Sequence, residues 1–363
     1  MGYDVIIAGA SFAGLAVASQ LRGRVLVVEP YPIGEHQTSA CATPLSVAEQ
    51  LGLMDSVLGV QRRLVIHTRT SKIVVDLSGH PYCTFDYKKF CRGMAHGVSA
   101  EILHARVLGR EGKRLVTTRG PFEGELFVDA SGWRAVLAER KAAFLPCQRF
   151  LSFGIETVAP KAGDELGFWF DPEVLPRGFA WDFPIDLGNR IGLASYVENH
   201  RLKPPLDLFL NRWGLPRGET HGGYFPAMLP RPLSGDLFLV GDSAGQCLPL
   251  TGEGIRPAIY FGQACGAIIQ RVLSGELTPE AGRQAYESFV GRHQRLYRAL
   301  RFAQNLGVRL PATLTAFLLA VACAGPFLSY ILPRYTAFAG VKNPHACDLG
   351  LFGINAPRDS TGP

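Results

Sequence analysis

The amino-terminal stretch constrains the fold most. Asp4-Val5-Ile6-Ile7-Ala8 is a short apolar run, Gly9-Ala10-Ser11-Phe12-Ala13-Gly14 follows it, and Leu15 to Leu21 is built from small and apolar residues. A second apolar run, Val25 to Val28, closes on Glu29. This is the strand, glycine turn, helix, strand and acid order of a dinucleotide-binding unit, with the acid about 20 residues after the first glycine, as ribose contact requires. One position departs: Ser11 stands where a middle glycine normally lets backbone approach a pyrophosphate. The expectation is a local rearrangement there, with the serine hydroxyl available to a phosphate.

A second glycine-rich stretch lies late in the chain. Leu237 to Val240 is apolar and runs into Gly241-Asp242; Thr251-Gly252-Glu253-Gly254-Ile255 then opens an apolar run to Ile269 that reads as a buried helix. A carboxylate after a strand can hold sugar-like hydroxyls. The Gly252 to Gly254 backbone can approach a ring face without side-chain interference, and the helix N-terminus favours negative charge, such as that of a reduced flavin. Leu126 to Arg134 is a third strand of this kind, ending in Asp129 and Gly132. A nucleotide-binding sheet discontinuous in sequence would need it.

With 363 residues, 47% hydrophobic and 19% charged, the chain can bury a large core and is long enough for about two domains. The net charge of +6 suits an anionic ligand or membrane surface but is too diffuse to indicate nucleic acid. The eight cysteines include no C-x-x-C pair, and no secretory leader precedes the first strand, so reduced thiols in a cytoplasmic protein are expected. No histidine spacing indicates a metal.

Between these stretches, Leu64 to Thr68 and Ile73 to Leu77 read as paired strands, Leu45 to Leu53 as a helix, and Asp86 as the cap of a helix starting near Phe85. Cys41, at the start of a helix, is either a proton donor beside a flavin or a small buried hydrophobe. Phe150 to Val158, Leu166 to Phe170, Gly178 to Phe183 and Arg190 to Val197 are β-rich and predict a separate antiparallel sheet. Phe179, Trp181 and Phe183 alternate, so they share one face, either as sheet core or as a wall for a ligand.

Taken together, Gly9 to Gly14, Asp129-Ala130-Ser131-Gly132, Gly241-Asp242 and Thr251 to Ile255 resemble the p-hydroxybenzoate-hydroxylase-type flavoproteins. Within that group, Phe179-x-Trp181-x-Phe183-Pro184 is similar to the aromatic signature of the geranylgeranyl reductases, and Cys41 sits where that family has its active-site cysteine. The resemblance implies non-covalent FAD and reduction of isolated double bonds in isoprenoid chains. Gly9, Ser11, Gly14 and Glu29 would contact the ADP half. Asp242 would hold the ribityl-pyrophosphate region, and Gly252 to Ile255 the isoalloxazine edge, with Gly252, Gly254 and Ile255 in contact. Asp129 and Gly241 would also bind the cofactor. Phe179, Trp181 and Phe183 would line the substrate channel, and Cys41 would be catalytic. Two positions depart from the family pattern: Tyr87 where relatives carry an arginine, and Ala42 where glycine usually follows the cysteine.

The expected architecture is α/β: a Rossmann-like FAD-binding domain (1–62, 83–135 and 226–275), an inserted antiparallel substrate sheet (63–82 and 136–225), a helical region (276–340) and an irregular tail (341–363). Pro279 to Arg309 reads as one basic amphipathic helix, suited to anionic lipid. Leu310 to Pro333 carries no charge and is split by Gly325-Pro326. It predicts two apolar pieces that dock on the protein or dip into one leaflet, with a full span as the competing reading. The expected reaction moves hydride from reduced flavin, and a proton, onto an isoprenoid alkene. An external reductant such as NADPH or a ferredoxin recharges the flavin, in the cytoplasm or at the inner face of the membrane. A flavin monooxygenase or halogenase-like enzyme is the alternative activity, and a non-catalytic flavin-binding membrane protein the alternative class.

Overall fold

The computed structural model describes residues 2–69, 71–138, 151–160, 163–197, 201–323 and 325–340. Phe150 and the tail expected over 341–363 lie outside the described residues. At the amino terminus β1 (Tyr3–Ala8), α1 (Phe12–Ala18) and β2 (Val25–Glu29) form the expected unit, with β1 and β2 parallel and every residue of α1 buried. The chain then passes through β3 (Ala42–Pro44), α2 (Leu45–Leu51), β4 (Val57–Gln61), β5 (Arg63–Thr68), β6 (Lys72–Asp76) and β7 (Tyr82–Phe85) to α3 (Tyr87–His96). The Asp86 carboxylate caps α3 by accepting from the Lys89 N–H at 2.9 Å. Four further strands follow: β8 (Glu101–His104), β9 (Val107–Glu111), β10 (Arg114–Thr117) and β11 (Gly120–Asp129).

The next segment supplies β12 (Leu151–Ala159), β13 (Leu166–Phe170), β14 (Gly178–Ile185) and β15 (Gly188–Ser195), then α4 (Lys203–Asn211) and β16 (Thr220–Pro226). After it, β17 (Leu233–Ser234) and β18 (Leu237–Leu239) return the chain to the first sheet. Helices α5 (Ile255–Leu273), α6 (Pro279–Gly291), α7 (Gln294–Arg309), α8 (Ala312–Ala322) and α9 (Gly325–Ala337) complete the described chain.

These strands form two main sheets. The first runs β17-β18-β11-β1-β2-β8, parallel from β18 to β8. It therefore gathers strand ends from both extremes of the sequence at one edge, outside which a doubly wound sheet binds its ligand. The second, in the order β16-β12-β15-β14-β13-β5-β6, is antiparallel except where β5 joins β13 in parallel. That junction departs from the expected all-antiparallel sheet because β5 and β6 enter as a hairpin from an earlier part of the chain. One face of this sheet is sealed by Leu206, Phe209 and Leu210 of α4; the other carries Phe179, Trp181 and Phe183. A third, three-stranded sheet orders β3-β7-β4 and was not visible in the sequence, since its strands are short.

The single helix expected from Pro279 to Arg309 is two, broken at Arg292 and His293. His293 sets its ring edge-on to Phe261, Phe289 and Phe338, with centroids 5.3, 5.4 and 5.3 Å away. That packing lies at a turn where the amphipathic pattern runs through unchanged, and burial pulls the His293 pKa down to about 4. The break at Gly325-Pro326 is present, separating α8 from α9.

Candidate functional site

The glycine turn after β1 is as tight as its spacing requires. Gly9 has φ +104, and a Cβ there would lie 2.3 Å from the Ala130 carbonyl oxygen; a Cβ on Gly14 would lie 1.9 Å from the Gly9 oxygen. Neither position accepts a side chain. Glu29 closes β2 with Oε2 accepting from the Ala10 N–H at 2.9 Å, so the acid holds the turn while standing at the ribose position of the fingerprint. The Ser11 and Tyr87 hydroxyls share a 3.1 Å hydrogen bond. Ser11, the departure from the glycine fingerprint, thus touches Tyr87, and the Tyr87 ring is fixed edge-on to Phe12 at 5.4 Å.

Asp129 has a different place from the one its motif implied. Its carboxylate is fully buried and accepts from the Ser131 N–H and hydroxyl, the Leu137 and Ala138 N–H groups and the Ser243 hydroxyl, at 2.6 to 3.1 Å. With its acceptor sites engaged inside the protein, it ties the 131–138 loop to the Gly241 turn instead of facing a ligand. Asp242 is the contrasting acid. It is only partly buried, no side-chain hydrogen bond to it is found among the described residues, and desolvation raises its pKa to about 7. An acid in this state gains from a ligand that supplies hydroxyl donors. Gly241 (φ +68) and Gly252 (φ +67) shape the two late turns, and a Cβ on Gly252 would come within 3.5 Å of Phe179 and 3.7 Å of Phe225. Gly254 is the N-cap of α5, and Ile255 is its first, buried residue. The cradle is therefore backbone, with one unspent acid and one helix N-terminus facing it, and its donor set fits a dinucleotide.

Beside the cradle stands an apolar cluster. Phe179, Trp181 and Phe183 cluster with Ile66, Val75, Leu166 and Tyr196 of the same unit, and Leu319, Cys323, Leu328 and Leu332 from α8 and α9 pack against this cluster. The three aromatic residues are each buried, so they are core in the packing sense and wall in position. Cys41 is fully buried with φ +56, and its thiol lies 3.3 Å from the Ser39 carbonyl oxygen. Burial pushes the thiol well above its ordinary pKa, and the Arg190 charge offsets part of that rise. The thiol is held protonated.

Two groups of residues at this site were not singled out from the sequence. Glu156, buried on β12, accepts from Trp181 Nε1 at 2.9 Å and from Arg190 at 3.1 Å, and His221 Nε2 stands 3.1 Å from the same carboxylate. Nothing in spacing joins Glu156, Arg190 and His221; only the register of β12, β15 and β16 does. The second group is Arg256, which is fully buried. It pairs with Glu253 at 2.6 Å and donates to the Tyr335, Thr336 and Phe338 carbonyls, tying the end of α9 to the Gly252 loop. The three-residue spacing of Glu253 and Arg256 was its one available sequence signal.

No family model matches the sequence. Among curated proteins, the chain is 26% identical over 329 residues to digeranylgeranylglycerophospholipid reductase 1 of Methanopyrus kandleri, covering 79% of this chain and 85% of that one. It is 26% identical over 350 residues to digeranylgeranylglycerophospholipid reductase 2 of Methanothermobacter thermautotrophicus, covering 86% of each. Over most of its length the chain is similar to these geranylgeranyl-lipid reductases, which supports the geranylgeranyl reductase family. It is an FAD-dependent oxidoreductase. The fold agrees: a geranylgeranyl bacteriochlorophyll reductase-like protein of Thermoplasma acidophilum superposes with a TM-score of 0.75 at 16% identity, covering 97% of this chain and 94% of that one. The flavin-dependent brominase Bmp2 superposes at 0.71 with 15% identity, covering 97% and 98%. The fold is thus shared with a flavin-dependent brominase, and the fold alone does not choose an activity.

Proposed function

We propose that this enzyme saturates isolated double bonds of an isoprenoid, geranylgeranyl-type chain. The observation that carries the reading is the apolar cluster: an aromatic face of the second sheet, covered by α8 and α9, lies beside the Gly252 loop, and Ala40 and Ala42, which flank Cys41, pack against it. The chemistry FAD supplies when held by Gly9, Gly14, Glu29, Asp242 and the Gly252 to Ile255 turn is hydride donation. An unactivated alkene needs alignment, dryness and a proton from the protein. Phe179, Trp181 and Phe183 align the chain and exclude water. Cys41 holds a proton on sulfur until the neighbouring carbon can accept it. The reductant is NADPH or a ferredoxin-type protein that docks transiently.

The substrate's hydrophobicity also accounts for the outer surface of the carboxyl-terminal helices. Phe302, Phe317, Val321 and Tyr330 are 69%, 62%, 50% and 59% exposed. No helix among the described residues is long and apolar enough to cross a membrane. We therefore place α7 to α9 against one leaflet, where Arg295, Arg298 and Arg309, all exposed, face anionic headgroups. The activity is tested by incubating dithionite-reduced protein with a geranylgeranyl lipid under strict anaerobiosis and weighing the product. A gain of two hydrogens per reduced bond is expected. Product that appears only when oxygen is admitted, carrying an added oxygen atom, overturns the reading in favour of a monooxygenase.

A further inference from the structure

The substrate-facing side of the second sheet is divided laterally. Strands β14, β13, β5 and β6 present Phe179, Trp181, Phe183, Phe168, Ile66 and Val75. Their neighbours β15, β12 and β16 present, on the same face by register, Arg190, Glu156 and His221. Phe183 pairs with Arg190, Gly192 lies opposite both Trp181 and Glu156, and Glu156 pairs with His221. Trp181 joins the two halves, since its ring belongs to the apolar wall while its Nε1 donates to Glu156.

The polar half has unspent hydrogen-bonding capacity. Arg190 is 8% exposed, and among the described residues its buried Nε has no hydrogen-bond partner, although another of its nitrogens binds Glu156. A guanidinium N–H only donates, so the missing partner is an acceptor. Leaving such a donor unmatched in a buried site is unfavourable. Charge narrows the choice. Glu156 already neutralises Arg190, so a phosphate would bring unbalanced negative charge into a buried site, whereas a neutral oxygen adds none.

We propose that Arg190 Nε receives a neutral oxygen of the substrate, as a hydroxyl, ether or ester, and so fixes which end of the isoprenoid lies beside Cys41. This rests on the isoprenoid reading above. The Arg190 to Glu156 pair is a specificity device: a polyene with such an oxygen is held in one register, and a pure hydrocarbon of equal length slides. A site built to hydrogen-bond an oxygen discriminates strongly against an analogue lacking it.

The test compares geranylgeraniol with its deoxygenated C20 hydrocarbon as ligands of the full-length, FAD-loaded enzyme, read by perturbation of the flavin absorbance. The wild type is expected to bind the alcohol at least tenfold more tightly. Arg190→Lys keeps a cation for Glu156 but lacks the Nε donor, and Arg190→Met combined with Glu156→Gln removes the charges together. Both variants are expected to retain FAD and to lose most of the preference, chiefly through weaker binding of the alcohol. Equal binding of the two ligands by the wild type overturns the proposal while leaving the isoprenoid reading standing, as does a preference that survives in either FAD-containing variant. Failure of the wild type to bind either polyene overturns the isoprenoid reading, and this proposal with it.

Discussion

Trp181 occupies the space that a side chain on Gly192 would need: a Cβ there would sit 2.2 Å from Trp181 Cζ2 and 2.6 Å from the Ile155 carbonyl oxygen. Both neighbours are stiff, one a ring in a packed wall and the other backbone of the adjacent strand. Gly192→Ala is therefore expected to destabilise the fold by about 1–3 kcal/mol and to lift the indole from Glu156. Urea denaturation followed by tryptophan fluorescence measures both; an unchanged midpoint and emission maximum would show that the wall is not packed as described.

Cys41 is positioned by backbone and by Ser39, whose carbonyl oxygen lies 3.3 Å from its thiol. Cys41→Ser should leave FAD content intact and slow alkene reduction, because a hydroxyl is a poorer proton donor than a thiol in the same burial. The expected loss is in the range typical of general acid catalysis, about 100-fold or more. Single-turnover rates in the pre-reduced enzyme report it, and equal rates remove Cys41 from the mechanism.

Asp242, with its pKa raised to about 7 by desolvation, gives FAD binding a pH dependence of definite sign. Hydroxyl donors from the cofactor favour the ionised acid, so its pKa falls on binding. Affinity then rises as pH increases toward 7 and levels off above it. In the apoprotein the raised pKa works the other way on stability: it costs nothing below the ordinary carboxylate range and costs progressively more as pH climbs from about 4 to 7. Asp242→Asn should flatten both profiles. Titrations of apoprotein with FAD between pH 5.5 and 8 check the first, and a pH-independent wild-type affinity contradicts it.

The outer face of α8 supplies a fourth expectation. Phe317→Ser with Val321→Ser removes two exposed side chains without touching Leu319 or Cys323, which pack on the aromatic cluster. At about 1.5–3 kcal/mol for each apolar side chain buried, co-sedimentation with phosphatidylglycerol vesicles should fall more than tenfold with FAD content unchanged. Undiminished binding would place the leaflet contact elsewhere.

Much of the cofactor half was legible because it is written in local spacing. Gly9, Gly14 and Glu29 need only one turn of chain to declare themselves, and Gly241-Asp242 and Gly252 to Ile255 each follow a strand or open a helix. Motif position failed for Asp129, whose sequence neighbourhood looks like that of Asp242. The two acids differ only in their partners: Asp129 is occupied by the loop it closes, which no spacing rule reports. The polar half of the second sheet's inner face was invisible because Glu156, Arg190 and His221 meet only through strand register. The break at His293 was hidden for a related reason, since a ring seated among Phe261, Phe289 and Phe338 interrupts a helix whose amphipathic period does not change.

The central claim is that both ends of the chain converge on FAD beside an isoprenoid site. Its most direct test is the absorbance of the purified protein, reduced with stoichiometric dithionite under nitrogen and then mixed with a geranylgeranyl lipid. The oxidised flavin spectrum should return without oxygen, at a rate that rises with lipid concentration. A colourless protein that takes up no FAD, or a reduced flavin that stays reduced until oxygen is admitted, would contradict it.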